Sequence, residues 1–594
     1  MRIIESEPRA PLVRKILPSA LIGLMLAVAI SGSAQIIPAG RRISWNPGIP
    51  GGIPVSTNWA TINVKNPPYN AVGDGVADDY SAIQSAIAAA GRSNVVYVPS
   101  GTYRLSNQLR IDYNNPKTYL VIRGDGPTKT KLICYDLATA DRYGVIQIQN
   151  TSAGTVMGIS SGYTKDSTNL VLSSAYGTVG DYVKVDQQND PAFVTSVNQN
   201  GVVDTYLSRN NGTRCMGQIV RITAVNGATL TITPALYFTF TAALQPQAYW
   251  CDYMPGLSKY VGIEDLCVQN VTNSLMRNIY LEHPVHCWIR NVESYNCGPA
   301  HVYIGGGYGC VVRDSYFHHS HSYAGGQGYG VLLMDQSADC LVENNVFYYL
   351  RHSMVFESGG CGNVLGYNYS QRMFDETYPN TDWLMGDIIT HGAHPYMNLV
   401  EGNIADFCYF DAVHGSSSHN TIFRNWIVSD SQGETNKVIY QLRSVMVDKT
   451  NYYENIVGNI LGKTGQTGVY ETNNVPNFNL RLVYQMGYSA LSSAELGPPA
   501  DTNVALTVLR HGNYDYMSGT TRWDSSIPDH TIPASYYLTS KPSWFGNLAW
   551  PAIGPDLASK TGQTPAQVRF NALQALQTPP PSAPVGLRVA GSSN

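Results

Sequence analysis

Charge is scarce in this chain: Asp, Glu, Lys and Arg make up only 13% of its 594 residues. No stripe of Lys and Arg runs along any segment, which excludes a surface built for nucleic acid or for an anionic membrane. Cysteine is scarce as well. Ten in so long a chain are too few for a disulfide scaffold, and no CxxC pair marks a metal-binding module. After residue 30 no apolar run is long enough for a membrane helix, which takes about 20 residues. The composition also lacks the Ala, Leu, Glu and Lys dominance of a helical bundle. What fills the chain instead is Gly (55), Tyr (40) and many Asn, Ser and Thr. That mixture suits β-structure with frequent tight turns.

The N-terminus reads as an export signal. Arg14 and Lys15 precede an almost wholly apolar stretch, Ile16–Ile30, and Gly32-Ser33-Ala34 supplies small residues for cleavage. Cleavage after Ala34 removes four basic and two acidic residues, taking the net charge from −4 to −6. The expected location is secreted, periplasmic or cell-surface, in a bacterial setting, with no membrane contact once the signal is gone. Residues 35–68, rich in Pro and Gly, form a lead-in.

From Asn70 the text becomes specific: Gly73-Asp74-Gly75 is a turn, and Asp78 and Asp79 sit where an N-cap and a first-turn acid belong. Ile83, Ala86, Ile87 and Ala90 recur at helical spacing, predicting a short helix over 80–90. Strands follow at Val95–Val98 and Thr102–Leu105, separated by a turn at Pro99-Ser100-Gly101. This passage, with Gly73, Asp74, Gly75, Asp78, Asp79, Ala82, Ile83, Ala86, Pro99, Gly101 and Tyr103, resembles the opening of the pectate-lyase-3 superfamily. The resemblance implies an all-β fold, a right-handed parallel β-helix whose N-terminal end is capped by the helix. It also implies a carbohydrate-active protein of the polygalacturonase-like or pectin-lyase-like kind.

A repeat carries the same fold further down the chain. One strand family starts at Ile289, Val312, Val342, Leu365, Val400, Phe423 and Val457, with starts 23 to 35 residues apart. Gly, Asn or Asp follows each start, and Asn at equivalent bends is expected to stack along the axis. A second strand precedes each: His301–Ile304, Gly330–Met334, His352–Phe356, Asp387–Thr390, Asp411–Val413 and 438–440. Coils lie about 4.8 Å apart. Val302, Ile304, Leu332, Val355 and Ile389 are expected inside, and Cys310 and Cys340 are expected to stack as free thiols. The resulting division is a cap with first coils over 69–159, a β-rich insertion over 160–245 and main coils over 246–462. A C-terminal cover follows over 463–576, and residues 577–594 form a Pro-rich linker that opens an incomplete fibronectin-III-like module. The aromatics Tyr514, Tyr516, Trp523, Trp544, Phe545 and Trp550 read as packing for the cover.

Aligning the coils on the second strand places Gly305, Asp335, Glu357, His391, His414 and Gln441 in one column at the bend. Titratable residues on successive coils would stand roughly 5 or 10 Å apart. Those spacings bracket the separations of about 5–5.5 Å and about 6.5–9.5 Å used by glycosidases. The candidate catalytic residues are therefore Asp335, Glu357, His391 and His414. Asp387, His394, Asp411, Trp383 and Tyr378 are the candidate substrate-binding residues, the last two from an overhanging loop that also carries Asp375 and Glu376. The polygalacturonase motifs Asn-Thr-Asp, Asp-Asp, Gly-His-Gly and Arg-Ile-Lys are absent, so no family catalytic residue carries over. His318-His319-Ser320-His321 lacks the flanking ligands of a metal site, and no metal or cofactor is expected.

Three functions follow. The first is a glycoside hydrolase cleaving an extracellular polysaccharide, with Glu357 as acid and Asp335 as base or nucleophile. The second is a polysaccharide lyase acting on uronic acids with a His base. The third is a non-catalytic carbohydrate-binding surface protein. The partner is a polysaccharide, and the oligomer is a monomer or a trimer.

Overall fold

The computed structural model describes residues 36–135, 143–150, 154–205, 209–249, 257–271, 276–375, 383–430, 440–471, 480–488 and 500–577. The signal segment, Tyr378 and the linker after residue 577 lie outside them. Gly73 and Gly75 both take positive φ, where a side chain is costly. Asp79 ends this turn by accepting from the Val72 and Gly73 N–H groups, and helix Tyr80–Ala89 starts beside it. The helix buries Ile83, Ala86 and Ile87 against the first coils.

The main body is a right-handed parallel β-helix. A coil is three strands, as in Ala300–Gly305, Val311–Arg313 and Tyr316–Ser320. One ten-stranded parallel sheet runs from Leu109–Asp112 to Leu482–Met486 and forms one face throughout. The other two faces meet at a one- to two-residue bend. There the chain turns through a left-handed residue on each coil, Asp314, Asn344, Tyr367, Gly402, Arg424, Gly458 and Gly512 in order. Immediately after it comes the asparagine ladder. Asn345, Asn368, Asn403, Asn425 and Asn459 each pass a side-chain N–H to the next side-chain carbonyl oxygen at 2.9–3.0 Å, ending on Asn513. These buried amides satisfy one another and the bend backbone, which buried polar groups require.

The first strand family pairs as read down to Val400, then slips by one: Val400 faces Ile422 and Ile456, not Phe423 and Val457. The second family also departs late. Its last members are Cys408–Phe410, Arg443–Val447 and Leu482–Met486, so 411–413 and 440 fall in loops. Val302 and Ile304 do fill the interior, with Val331, Leu333, Met354, Phe356 and Ile388. Leu332, Val355 and Ile389 instead point outward and pack with Tyr303 and Tyr409 in a separate cluster. Cys287, Cys310 and Cys340 occupy equivalent positions, all buried and free. The coil runs one turn past 462, through Leu509–His511 and Asn513–Asp515.

Residues 516–577 lie along the side of the helix. Phe545, Trp544 and Trp550 pack on Tyr367, and Arg424 pairs with Asp556. The insertion is a closed six-stranded antiparallel barrel, Met157–Ser161 through Gln247–Tyr249. Its core includes Leu170, Val183, Val220, Ile222, Leu230 and Phe240. Polar contacts dock it on the coil: Tyr237 Oη donates to Asp339 at 2.6 Å, and the Gln199 N–H to the Val413 carbonyl at 3.0 Å. Among the described residues no helix is long and apolar enough to cross a membrane.

Candidate active site

The ladder hydrogen bonds fix which residues share a column. Glu357 N donates to Leu333 O, His391 N to Phe356 O, Asp411 N to Thr390 O and Asp448 N to Phe410 O. Each residue is the first beyond its strand, so the column reads Glu282, Gly305, Met334, Glu357, His391, Asp411, Asp448. Glu357 and His391 are neighbours as expected. Asp335 falls one residue outside this column, His414 three, and Gln441 lies before its strand.

Glu357, His391 and Asp411 line a cleft of about 560 Å³ walled by Tyr329, Arg351, Arg277 and the barrel residue Gln199. The His391 Nδ1–H donates to Asp411 Oδ2 at 2.5 Å. Asp411 is itself oriented by the Val413 N–H at 2.9 Å. This leaves Nε2 of His391 toward the cleft, with no partner among the described residues. Burial works against charge on this ring, but Asp411 and then Glu357 outweigh it and hold the His391 pKa above the usual value. Glu357 is pushed up to about 7, chiefly by burial, with the Asp335 and Asp411 charges adding and His391 opposing.

His414 also lines the cleft. Its ring stands perpendicular to that of His391 at 4.8 Å, and its Nδ1 pairs with Asp204 of the barrel at 2.6 Å. Burial, followed by the neighbouring His391, lowers its pKa. His352 is neutral by its contacts: Nδ1 donates to Gly386 O and Nε2 accepts from Arg351, both at 2.7 Å. Arg351 in turn pairs with Asp375 at 3.0 Å. Arg277 differs. Its guanidinium lies 5.0 Å from the Tyr303 ring centroid, and its buried Nε has no hydrogen-bond partner among the described residues.

Other candidates are placed elsewhere. Asp387 is inside the coil, where it accepts from Ser370 and from the Asp406 and Phe407 N–H groups. His394 is sealed between coil and barrel by Ser416 and Ser418 at 2.8 and 2.7 Å, and burial lowers its pKa to about 3. Trp383 is buried against Tyr440. Asp335 lines a second cleft with Glu282. Arg277, Tyr329, Arg351 and Asp204 went unread in the sequence, because only coil stacking and barrel docking bring them to the site.

This architecture is that of a pectate-lyase-like right-handed parallel β-helix protein. More particularly, residues 61–320 match the family described as "Rhamnogalacturonase A/epimerase, pectate lyase-like". No curated protein matches the chain. Among solved structures, the tailspike gp61 of Pseudomonas phage phi297 is 14% identical, with 77% of this chain and 75% of that one covered and a TM-score of 0.48. The tailspike gp49 of Pseudomonas phage LKA1 is 16% identical, with 69% and 64% covered and a TM-score of 0.45. The A-module of a mannuronan C-5 epimerase from Azotobacter vinelandii is 14% identical, with 76% and 98% covered and a TM-score of 0.37.

Proposed function

We propose that the protein is an extracellular enzyme that cleaves an acidic polysaccharide by β-elimination at a uronic acid. The observation that carries this reading is the His391–Asp411 pair facing Glu357 across one cleft. A neutral imidazole whose Nδ1 proton is held by a carboxylate presents a basic Nε2. A carboxyl raised to about 7 still carries a proton to give near neutrality. Arg277, whose buried Nε has no hydrogen-bond partner among the described residues, supplies a guanidinium for the uronate carboxylate.

In this mechanism His391 Nε2 takes the proton at C5, which the neutralised carboxylate acidifies. The C–H electron pair becomes the C4–C5 double bond and expels O4. Glu357 delivers its proton to O4, and solvent returns the proton of His391 to Glu357. One glycosidic bond breaks without consuming water. His414, fixed by Asp204, shapes the wall beside the base.

Glu357 and Asp335, paired in the expectation of hydrolysis, line different clefts, and this reading uses Glu357 with His391 instead. Polygalacturonate digestion read for both ultraviolet-absorbing unsaturated ends and reducing ends tests the proposal. His391→Ala and Glu357→Gln are each expected to lower unsaturated product about 10²–10⁴-fold. Reducing ends without unsaturation, or binding without product, would overturn it.

A further inference from the structure

A second cleft of about 470 Å³ opens N-terminal of the first, between coil and barrel. Glu282 and Asp335 form its floor, and Lys184, Asn210 and Tyr249 come from the barrel side. Tyr280 and Tyr303, on adjacent coils, stack with centroids 4.7 Å apart and planes at 11°. The Tyr303 hydroxyl donates to Asp335 at 3.0 Å, and the Tyr280 hydroxyl makes a short hydrogen bond to Glu282. The stack thereby holds one carboxyl at each of its two hydroxyl tips. Lys184 Nζ donates to the Asp335 carbonyl at 3.1 Å and fixes the bend from above. Glu282 and Asp335 belong to coils two apart, a rise of roughly 9.6 Å, near the about 6.5–9.5 Å of inverting glycosidases.

We infer that this second cleft is a separate glycoside-hydrolysing centre, with Glu282 as general acid and Asp335 as general base on a neutral sugar. Two carboxyls there disfavour a uronate, and the cations lining the cleft are engaged, Arg209 by Asp186 and Lys184 by the Asp335 carbonyl. Burial pushes Glu282 up to about 7, and the Asp335 charge adds to it. Burial also raises Asp335, with Lys184 and Tyr303 opposing. Glu282 protonates the glycosidic oxygen as its bond to C1 breaks. Water oxygen bonds to C1, Asp335 takes the water proton, and solvent carries a proton back to Glu282. The inference does not depend on the chemistry assigned to the first cleft.

Digestion of carboxyl-reduced rhamnogalacturonan by the full chain in oxygen-18 water tests it. That polymer lacks the carboxylate that elimination requires, and only hydrolysis places water oxygen at the new reducing end. The wild type is expected to give labelled ends. Glu282→Gln and Asp335→Asn should each lower them about 100-fold or more, while His391→Ala, which disables elimination, should still give them. Tyr303→Phe keeps both carboxyls and the stack, and should reduce the rate roughly ten-fold if the phenol positions Asp335. The inference is overturned if the wild type yields no labelled ends, if Tyr303→Phe and both carboxyl variants match it, or if His391→Ala loses the label.

Discussion

Asp411 accepts a hydrogen bond from the Nδ1–H of His391 at 2.5 Å, and this contact sets both the tautomer and the charge of the ring. The pair faces Glu357, which burial raises to about 7. Elimination needs His391 neutral and Glu357 protonated. Activity should therefore rise as pH passes the raised pKa of His391 and fall as pH passes that of Glu357, giving a bell-shaped profile. Asp411→Asn removes the anion that raises His391, so the acidic limb should move to lower pH while the rate falls about 10²–10⁴-fold. Glu357→Gln should abolish the alkaline limb. Rate profiles against pH for the three proteins check this. An unmoved acidic limb in Asp411→Asn would remove His391 from the role of base.

At the scale of strands, the asparagine ladder explains how bends with left-handed Tyr367 and Arg424 persist. Each costs conformational energy, and the buried amides on the following residue hold the bend closed. Asn403→Ala would strip the acceptor from the Asn368 N–H and side-chain amide, and the donor from the Leu365 carbonyl. With several buried groups unsatisfied, the expected loss is about 3 kcal/mol or more in urea unfolding. A loss under about 1 kcal/mol would show the ladder to be dispensable. This element was legible in the sequence because Asn recurs at a fixed offset from an apolar start, and the capping helix because its pattern is local. The column of site residues was only half legible. Its strands are as short as three residues, and both faces of Tyr329–Met334 are apolar, so alternation cannot decide which residues face in. A slip of one residue moved Asp335 into the column in place of Met334. A misplaced strand at 411–413 put His414 where Asp411 belongs. Arg277 and Asp204 carry no local signal, since their place in the site comes from stacking and from a barrel over a hundred residues from the coils it covers.

Across the whole molecule, a chain with few charges has buried an unusual share of those it has. Burial, opposed by their hydrogen-bond partners, raises Asp339, Asp387 and Glu401 to about 7 and Glu454 to about 8. Glu357 joins them. Burial also lowers His283, His394 and His419 to about 3 and His286 to about 4. The two sets act on stability with opposite sign. A carboxyl raised in the folded state stabilises fully below its unfolded value, 3.8 for Asp and 4.5 for Glu, and that contribution is lost as pH climbs to 7–8. A histidine lowered in the folded state contributes above its unfolded value near 6.5, and that is lost as pH falls toward 3–4. Between about 4.5 and 6.5 each set offsets the other. Above that window only the carboxyls still change, and below it only the histidines. Thermal unfolding from pH 3 to 9 should therefore show a melting-temperature plateau between about pH 4.5 and 6.5 with a decline on either side. Glu454→Gln, which removes the most strongly raised of the four structural carboxyls, should flatten the alkaline decline and leave the acidic one in place. A melting temperature that keeps rising from pH 6.5 to 8 would mean that these carboxyls ionise freely in the folded chain, and that the polar interior of the coil is far wetter than its packing allows.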